Sequence, residues 1–403
     1  MRRVGITGIG LVTALGSTRE TTWAAMLEGR CGIGPVSVFD ASGYRSRVAG
    51  EVSLREVVAT MPPIQRRRWS RSDQFGVAAA TEAFADSGVL EHGIDRRRVG
   101  VMLGAGTADL LRNERFVFTA IDRGVERGRW SDLWNHFPNT PVDVIAGHFG
   151  LEGARSCVVA ACSSSTIAIG QALSAIRHGR IDVAVAGGTD ALARLTFSGF
   201  NALRLMDPEP CRPFDRGRNG MSIGEGAGLL ILEDLEHARR RGAHVYAEAA
   251  GYSLACEAFH PTAPEPEGQT VATMIRQALE DARCPAGDVD HLNAHGTATP
   301  QNDRAEARGV RAVFGESSRH VLVTSVKSMV GHCLGAAGGV EAAITALSVD
   351  RGVVPPTVHF SERDPDCDVE IVANTPREHR IRSAVSTSLA FGGNDAALVI
   401  RAL

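Results

Sequence analysis

The chain has 403 residues, a formal net charge of -3 and 22% charged residues. That length can bury a large core and fits two or three domain-sized units, while the near-balanced charge excludes a surface built as a whole for nucleic acid or an anionic membrane. Eight cysteines with no CxxC pair and no regular spacing fit a reducing compartment and argue against a disulfide framework or a structural zinc site.

Met1-Arg2-Arg3 and the apolar stretch after it imitate a secretory leader. Thr7, Gly8, Gly10, Thr13 and Gly16 interrupt that stretch and no A-x-A site follows, so residues 4–11 read as a first strand. No apolar run is long enough for a membrane span, and a cytoplasmic protein is expected. A helix is expected over 21–28, stopped by Gly29, and a longer one over 70–87, where Ser70 and Asp73 are spaced as a capping box and Gly88 is the stop. Residues 99–103 form a strand running into Gly104-Ala105-Gly106, and Thr140-Pro141 is a helix start with a capping hydroxyl and Pro at the first helical position.

From Ser156 a short apolar run reaches Cys162, breaks into Ser163-Ser164-Ser165-Thr166, and then shows helical spacing of Ile169, Leu173 and Ile176 up to Gly179. A strand that turns directly into a helix sets Cys162 on an elbow beside the N–H groups of the first turn, whose dipole favours a thiolate. On this feature alone, a buried inert cysteine is the commoner outcome. A strand over 181–186 leads into Gly187-Gly188-Thr189-Asp190, and a strand over 227–232 precedes a charged helix over 233–241.

From about residue 245 the pattern begins again: strand 246–252, helix 269–282, strand 291–294, helix 300–314, strand 320–326, helix 332–349. Gly335-Ala336-Ala337-Gly338-Gly339 stands where the first half has the helix after Cys162. The alternation predicts an α/β protein with a weak internal duplication, in halves 1–245 and 246–403 that pack together without a flexible linker.

Several generic motifs fail in context. Gly8-Ile9-Gly10 lacks the third glycine of a dinucleotide fingerprint, and Gly220-Met221-Ser222-Ile223-Gly224 spells a hydrolase elbow with no strand before it, so a loop is expected. His291 and His295 are four apart, but no helix aligns them as a metal pair. The informative residues are dispersed. His295, in Asn293-Ala294-His295-Gly296-Thr297-Ala298-Thr299-Pro300, and His332, in Lys327-Ser328-Met329-Val330-Gly331-His332, both lie at strand ends. Ligands gather at one end of the strands in α/β sheets, which makes a site shared with Cys162 plausible. The glycine-flanked Ser388-Leu389-Ala390-Phe391-Gly392-Gly393-Asn394-Asp395 could aim backbone N–H groups at an oxyanion.

Taken together, Ala160-Ala161-Cys162-Ser163-Ser164, the His295 and His332 segments, Leu334-Gly335-Ala336-Ala337-Gly338 and Phe391-Gly392-Gly393 closely resemble the β-ketoacyl-acyl carrier protein synthases of the elongating, Cys-His-His type. Arg212-Pro213-Phe214-Asp215 and Gly224-Glu225-Gly226-Ala227-Gly228 add to the likeness. The resemblance implies the thiolase fold, two duplicated α/β halves in α-β-α-β-α layers, usually as a homodimer. It also implies that Cys162 takes an acyl group from a carrier thioester. His295 and His332, as neutral donors, would hold the malonyl thioester carbonyl during decarboxylation, and the N–H groups of Cys162 and Phe391 would form the second oxyanion hole. Lys327 would tune His332 and pair with Glu341, unless that pair is only structural. Thr297 and Thr299 fall where the phosphopantetheine arm of acyl carrier protein is bound, with helix capping as the plainer role. Thr107 falls at the floor of the acyl pocket, where a small polar residue would admit longer or functionalised chains.

By the same resemblance, Arg66, Arg67, Arg68, Arg71 and Arg204 match carrier-protein docking positions. It implies no enzyme-bound cofactor, no metal, no nucleic acid and no membrane partner. Ala390 stands where the family usually has Gly, which stiffens the phenylalanine loop, and Asn394-Asp395 replaces the usual Thr-Asn. Two rivals stand beside a fatty-acid elongating enzyme: the ketosynthase of a type II polyketide or polyene pathway, paired with a chain-length-factor-like subunit, and a non-catalytic chain-length partner. Joint retention of Cys162, His295, His332 and Lys327 argues against the last. Thiolase is disfavoured because no cysteine lies in or after the Phe391 loop, and the initiating synthases because they use histidine and asparagine where this chain has two histidines.

Overall fold

The computed structural model describes residues 1–57, 68–107 and 110–403. In the first part of the chain β1 (Val4–Val12), β2 (Val99–Gly104), β3 (Arg155–Val158), β4 (Val183–Asp190) and β5 (Gly226–Asp234) lie in the order β1-β5-β4-β2-β3. After residue 245 come β6 (Ala247–Cys256), β7 (Val289–Asn293), β8 (Leu322–Thr324), β9 (Glu370–Ile371), β10 (Ser383–Ser388) and β11 (Asn394–Arg401). They repeat the order as β6-β11-β10-β7-β8, with β9 added at the edge. The sense of pairing repeats too: two antiparallel neighbours and then two parallel ones in each half. A short antiparallel seam, Gly5 with Glu248 and Ile6 with Ala247, joins β1 to β6 and makes a single sheet of 11 strands.

The longer helices are α1 (Arg19–Leu27), α2 (Arg71–Ser87), α3 (Leu110–Arg123), α4 (Thr140–Phe149), α5 (Ser164–Arg177), α6 (Arg194–Ala202), α7 (Gln269–Asp281), α8 (Pro300–Phe314) and α9 (Ala337–Arg351). Side chains alternate across a strand, and here both faces are apolar. Val183, Val185, Leu229 and Ile231 enter a core with α2 and α4. Their neighbours Ala184, Ala186, Leu230 and Leu232 enter a central core with α5 and α9, which Leu398 and Ile400 of β11 share. Ala397 and Val399 face the other way, toward α7 and α8. Burial on both faces requires helices on both faces, and the result is the α-β-α-β-α stack of the thiolase fold. Among the described residues no helix is long and apolar enough to cross a membrane.

The small residues in the first turn of α9 allow the two halves to close on each other. A Cβ added at Gly339 would sit 2.4 Å from the Gly228 carbonyl oxygen, and one at Gly338 would sit 1.9 Å from Thr166 Oγ1. The halves are also stitched there by Gly339 N–H to Ser165 Oγ at 2.9 Å and by Thr166 Oγ1 with Ser388 Oγ at 2.8 Å.

Ser70 and Asp73 form the expected capping box of α2, and Gly88 ends that helix at φ 64°. Other boundaries differ. The helix expected from 332 begins at Ala337, because positive φ at Gly331 and Leu334 keeps His332 in a loop. The strand expected over 320–326 shrinks to Leu322–Thr324. Asn139, with no side-chain cap bond, takes the cap position expected of Thr140. Helices α3 and α6 went unpredicted, since much of their apolar surface, such as Ile121 at 72% and Leu195 at 60% exposure, faces outward and blurs the core-facing period.

Candidate active site

Each reactive side chain is carried by a strand end or the turn beyond it. After β3, Ala161 takes a left-handed φ of 48° and opens a single tight turn, Ala161–Ser163, that passes into α5. The hydroxyls expected only as an interruption fasten this elbow. Ala160 N–H donates to Ser164 Oγ at 2.8 Å, Ser164 Oγ donates to the Ala161 carbonyl at 2.6 Å, and Ser163 Oγ donates to the Ala160 carbonyl at 2.9 Å. Cys162 is thereby presented at the N-terminal end of α5, 8% exposed.

His295 follows β7. Its backbone N–H donates to Glu306 Oε1 at 2.7 Å and the Gly296 N–H to Glu306 Oε2 at 2.8 Å, so one buried carboxylate of α8 fixes the whole turn. His332 is held from the other side: its N–H donates to the Ser222 carbonyl at 2.7 Å, and its own carbonyl accepts from Gly224 at 2.8 Å. The Gly220–Gly224 stretch is thus a loop that seats a histidine. His291 lies inside β7 with its Nδ1 2.8 Å from the Leu322 carbonyl, and forms no pair with His295.

These elements bring the distant residues together. His332 Nε2 lies 2.9 Å from Cys162 Sγ, and the His295 and His332 rings stand edge to face with centroids 5.3 Å apart. One ligand atom from each of Cys162, His295 and His332 falls within 4.8 Å of the others, the one group among the described residues close enough to share a metal ion. The Phe391 backbone N–H is directed at the Cys162 sulfur, and its ring packs on Phe200 at 5.6 Å. A cleft of about 580 Å³, open space at its mouth included, is lined by these residues and by Thr297, Thr299 and Asn302.

Burial is the largest influence on every titratable group in the trio. It holds both imidazoles well below the usual histidine range, and the Lys327 charge pushes them the same way, so both are neutral. It pushes the Cys162 thiol up to about 12, while Lys327 and the Phe391 N–H act in the opposite sense. Desolvation therefore opposes the thiolate that the helix terminus favours.

Lys327, 1% exposed, is hydrogen-bonded to Glu341, 2% exposed, beneath the site. Neither lines the cleft. Thr299 does not cap α8 with its side chain, and its hydroxyl meets that of Thr297 at 3.0 Å inside the cleft.

Two expected site residues are engaged elsewhere. Thr107 does not line this cleft: its N–H and hydroxyl are turned to the buried Asp190 carboxylate, with the Ala191 carbonyl 2.9 Å from Oγ1. Arg71, its side chain 15% exposed, is held by the Glu225 carboxylate and the Val52 carbonyl. Arg68 and Arg204 are exposed, and Arg66 and Arg67 lie outside the described residues.

Sequence reasoning missed Glu306. The available signal was Asn302, Asp303 and Glu306 on the face of a helix whose Val310 points to the core; polar groups placed inward need donors to meet. Burial raises the Glu306 carboxyl to about 7.

Two family profiles match, the beta-ketoacyl synthase N-terminal domain over residues 1–238 and the C-terminal domain over residues 246–361. The chain belongs to the beta-ketoacyl synthase family. This synthase is 36% identical over 406 residues to the 3-oxoacyl-(acyl-carrier-protein) synthase 2 of Staphylococcus aureus strain N315, covering 99% of this chain and 98% of the relative. It is 37% identical over 420 residues to the tetracenomycin polyketide synthase ketoacyl synthase alpha subunit of Streptomyces glaucescens, covering 99% and 97%. Among solved structures, the ishigamide ketosynthase/chain length factor superposes with a TM-score of 0.95 at 33% identity, covering 100% of this chain and 99% of that one. As a beta-ketoacyl synthase the protein is an acyltransferase.

Proposed function

We propose that this synthase elongates an acyl chain by decarboxylative Claisen condensation with malonyl-acyl carrier protein. In the first half-reaction the Cys162 sulfur attacks the acyl thioester, the acyl–sulfur bond to the carrier breaks, and the thiol proton leaves with the phosphopantetheine sulfur. In the second, the malonyl carboxylate departs as carbon dioxide while His295 and His332 donate to the thioester oxygen on which negative charge grows. The resulting carbon nucleophile attacks the acyl-Cys162 carbonyl, whose oxygen is met by the N–H groups of Cys162 and Phe391. Collapse expels the sulfur, which regains a proton. The 3-oxoacyl chain stays on the carrier.

The observation that carries this reading is the convergence of Cys162 Sγ with the two imidazoles in one cleft. Neutral histidines suit the role, since each still carries one ring N–H to donate to the oxygen. In this account residues 1–245 supply the nucleophile and residues 246–403 the two histidines and the lysine. Thr297 and Thr299 would hold the phosphopantetheine arm, which is the carrier's group, with no cofactor of the enzyme's own. Arg68 and Arg204, with Arg66 and Arg67, would meet the acidic carrier protein. All eight cysteines are unpaired, which fits work in the reducing cytoplasm.

A second subunit is part of the proposal. Val117, Phe118 and Ile121 of α3 and the following Trp130, Trp134 and Phe137 are between 48% and 72% exposed, and among the described residues β3 ends the sheet with an unpaired edge. A homodimer covers both features. The likeness to the ishigamide ketosynthase/chain length factor and to the tetracenomycin alpha subunit supports a second reading, a polyketide or polyene ketosynthase with a chain-length-factor partner. Incubation with malonyl-carrier protein and a panel of acyl primers, followed by weighing of the carrier-bound products, tests both. One two-carbon extension supports the first, repeated extension on a single chain supports the second, and no extension with any primer contradicts both.

A further inference from the structure

The cleft wall opposite the histidines holds a pair of carboxyl groups that the condensation scheme does not use. In the β6–β11 pairing Asp395 lies across from Ala255, so the pleat puts its side chain on the same face as Glu257, two residues further along. Both line the cleft. One oxygen of each is satisfied: Asp395 Oδ1 accepts from the Ala390 N–H at 3.1 Å, and Glu257 Oε2 accepts from the Glu265 N–H at 3.1 Å. The other two, Asp395 Oδ2 and Glu257 Oε1, are buried and have no donor. Each of the two side chains acts on the titration of the other, so the carboxyl groups are close neighbours. Two neighbouring carboxyl groups left without donors can satisfy each other only with a proton between them.

The pair sits where two segments are laced together. Glu257 N–H donates to the Gly393 carbonyl at 3.0 Å, Gly392 N–H to the Pro261 carbonyl at 2.9 Å, and Gly393 N–H to the Ala390 carbonyl at 2.9 Å. Gly393, at φ 75°, lies so close that an added Cβ would be 2.9 Å from Glu257 Cβ. The turn that carries Phe391, and so the N–H aimed at Cys162, is therefore tied to the segment from Glu257 to Pro264 on the opposite wall.

We propose that Asp395 and Glu257 share one proton, and that this proton positions the Phe391 turn for the condensation proposed above. The surroundings favour retention of the proton. Burial, followed by the facing Glu257, raises the Asp395 carboxyl, and burial raises that of Glu257. The other charged or titratable groups around the pair are Glu265 on the Glu257 side and Glu306 of α8, both acidic, with His260, His295 and His332 across the cleft. His260 is turned to its own loop, its Nδ1 accepting from Thr262 and Ala263. A carboxyl raised in this way holds its bond at low and neutral pH. It loses the bond as pH climbs through the raised value, when two like charges face each other and the turn is released.

Asp395→Asn keeps the shape and replaces the shared proton with a permanent N–H donor to Glu257. The test is hydrogen exchange of the peptide spanning residues 390–395, corrected for intrinsic rates, across the alkaline range, together with the pH profile of condensation. In the parent, protection is expected to fall by about tenfold per pH unit above the titration, the slope of one proton, and condensation with it. In Asp395→Asn both curves are expected to stay flat over that range, and Glu257→Gln should behave likewise. Identical alkaline curves for the parent and both variants would overturn the shared proton. Because exchange needs no turnover, the expected exchange result in a protein that never condenses would contradict the condensation reading and leave the proton in place.

Discussion

Ala161 and Leu334 hold the same left-handed backbone, φ 48° and 50°, at corresponding points of the two halves. Each opens a tight turn that continues into a central helix, α5 or α9. One stands immediately before Cys162 and the other two residues after His332, so the duplicated fold places strain beside both reactive groups. A non-glycine residue in this region costs about 1–2 kcal/mol. Ala161→Gly should relieve that cost and lose about as much through a more flexible unfolded chain, leaving the denaturant midpoint near the parent's. Ala161→Val, whose branched side chain fits a positive φ worse, should unfold at clearly lower denaturant. Equal midpoints for the two variants would mean that the turn is not strained.

Lys327 and Glu341 make a sharper stability test. Lys327→Met leaves the Glu341 carboxylate buried and unpaired, a loss of about 3–5 kcal/mol. Adding Glu341→Leu should recover much of that in denaturant unfolding. Condensation should stay low in the double variant, because the Lys327 charge that adds to burial in acting on both imidazoles and on Cys162 is gone. Recovery of activity together with stability would reduce the pair to a structural one.

The protonation states predict two pH limbs. Both histidines lie well below their usual range, so they stay neutral as pH falls through 6.5 and condensation should fail only in distinctly more acid solution. The Cys162 thiol, raised to about 12, should alkylate with iodoacetamide at a rate that keeps rising with pH through the alkaline range. A plateau near neutrality would reveal a resting thiolate, with the helix terminus stronger than burial.

Arginines that looked alike in the sequence should separate by experiment. Arg204→Glu and Arg68→Glu should raise KM for carrier-bound substrates more than for small thioester mimics, and leave the melting temperature nearly unchanged. Arg71→Glu should instead lower stability by several kcal/mol, about 3–5 by analogy with other buried pairs, because it sets a second carboxylate against the fully buried Glu225. A carrier-specific KM effect in a fully stable Arg71→Glu protein would restore it to the docking surface.

The alternation of strands and helices, the repeat beginning near residue 245 and the residues of the reactive trio were legible because each rests on local pattern: apolar period, capping box, strand-end glycine. What escaped depends on contacts between distant segments. Nothing local shows that Arg71 reaches Glu225, that Thr107 turns to Asp190, or that Ser222 offers its carbonyl to His332. Desolvation is equally non-local, so the helix dipole beside Cys162 was visible in the sequence while the burial that opposes it was not. Asp395 was legible as a departure from the family pattern, but its meaning required Glu257 across the sheet.

The central claim is that Cys162 holds the acyl group which the two histidines help to extend. The most direct measurement is a single-turnover chase: load the enzyme with an acyl-carrier thioester, confirm the added mass on the Cys162 peptide, then add malonyl-carrier protein and follow enzyme and carrier by intact mass. The account predicts that the acyl mass leaves Cys162 as a 3-oxoacyl chain two carbons longer accumulates on the carrier, with His295→Ala and His332→Ala each loading normally and then slowing by about 10²–10³ in the chase. Acyl mass on another residue, or a histidine variant that chases at the parental rate, would contradict it.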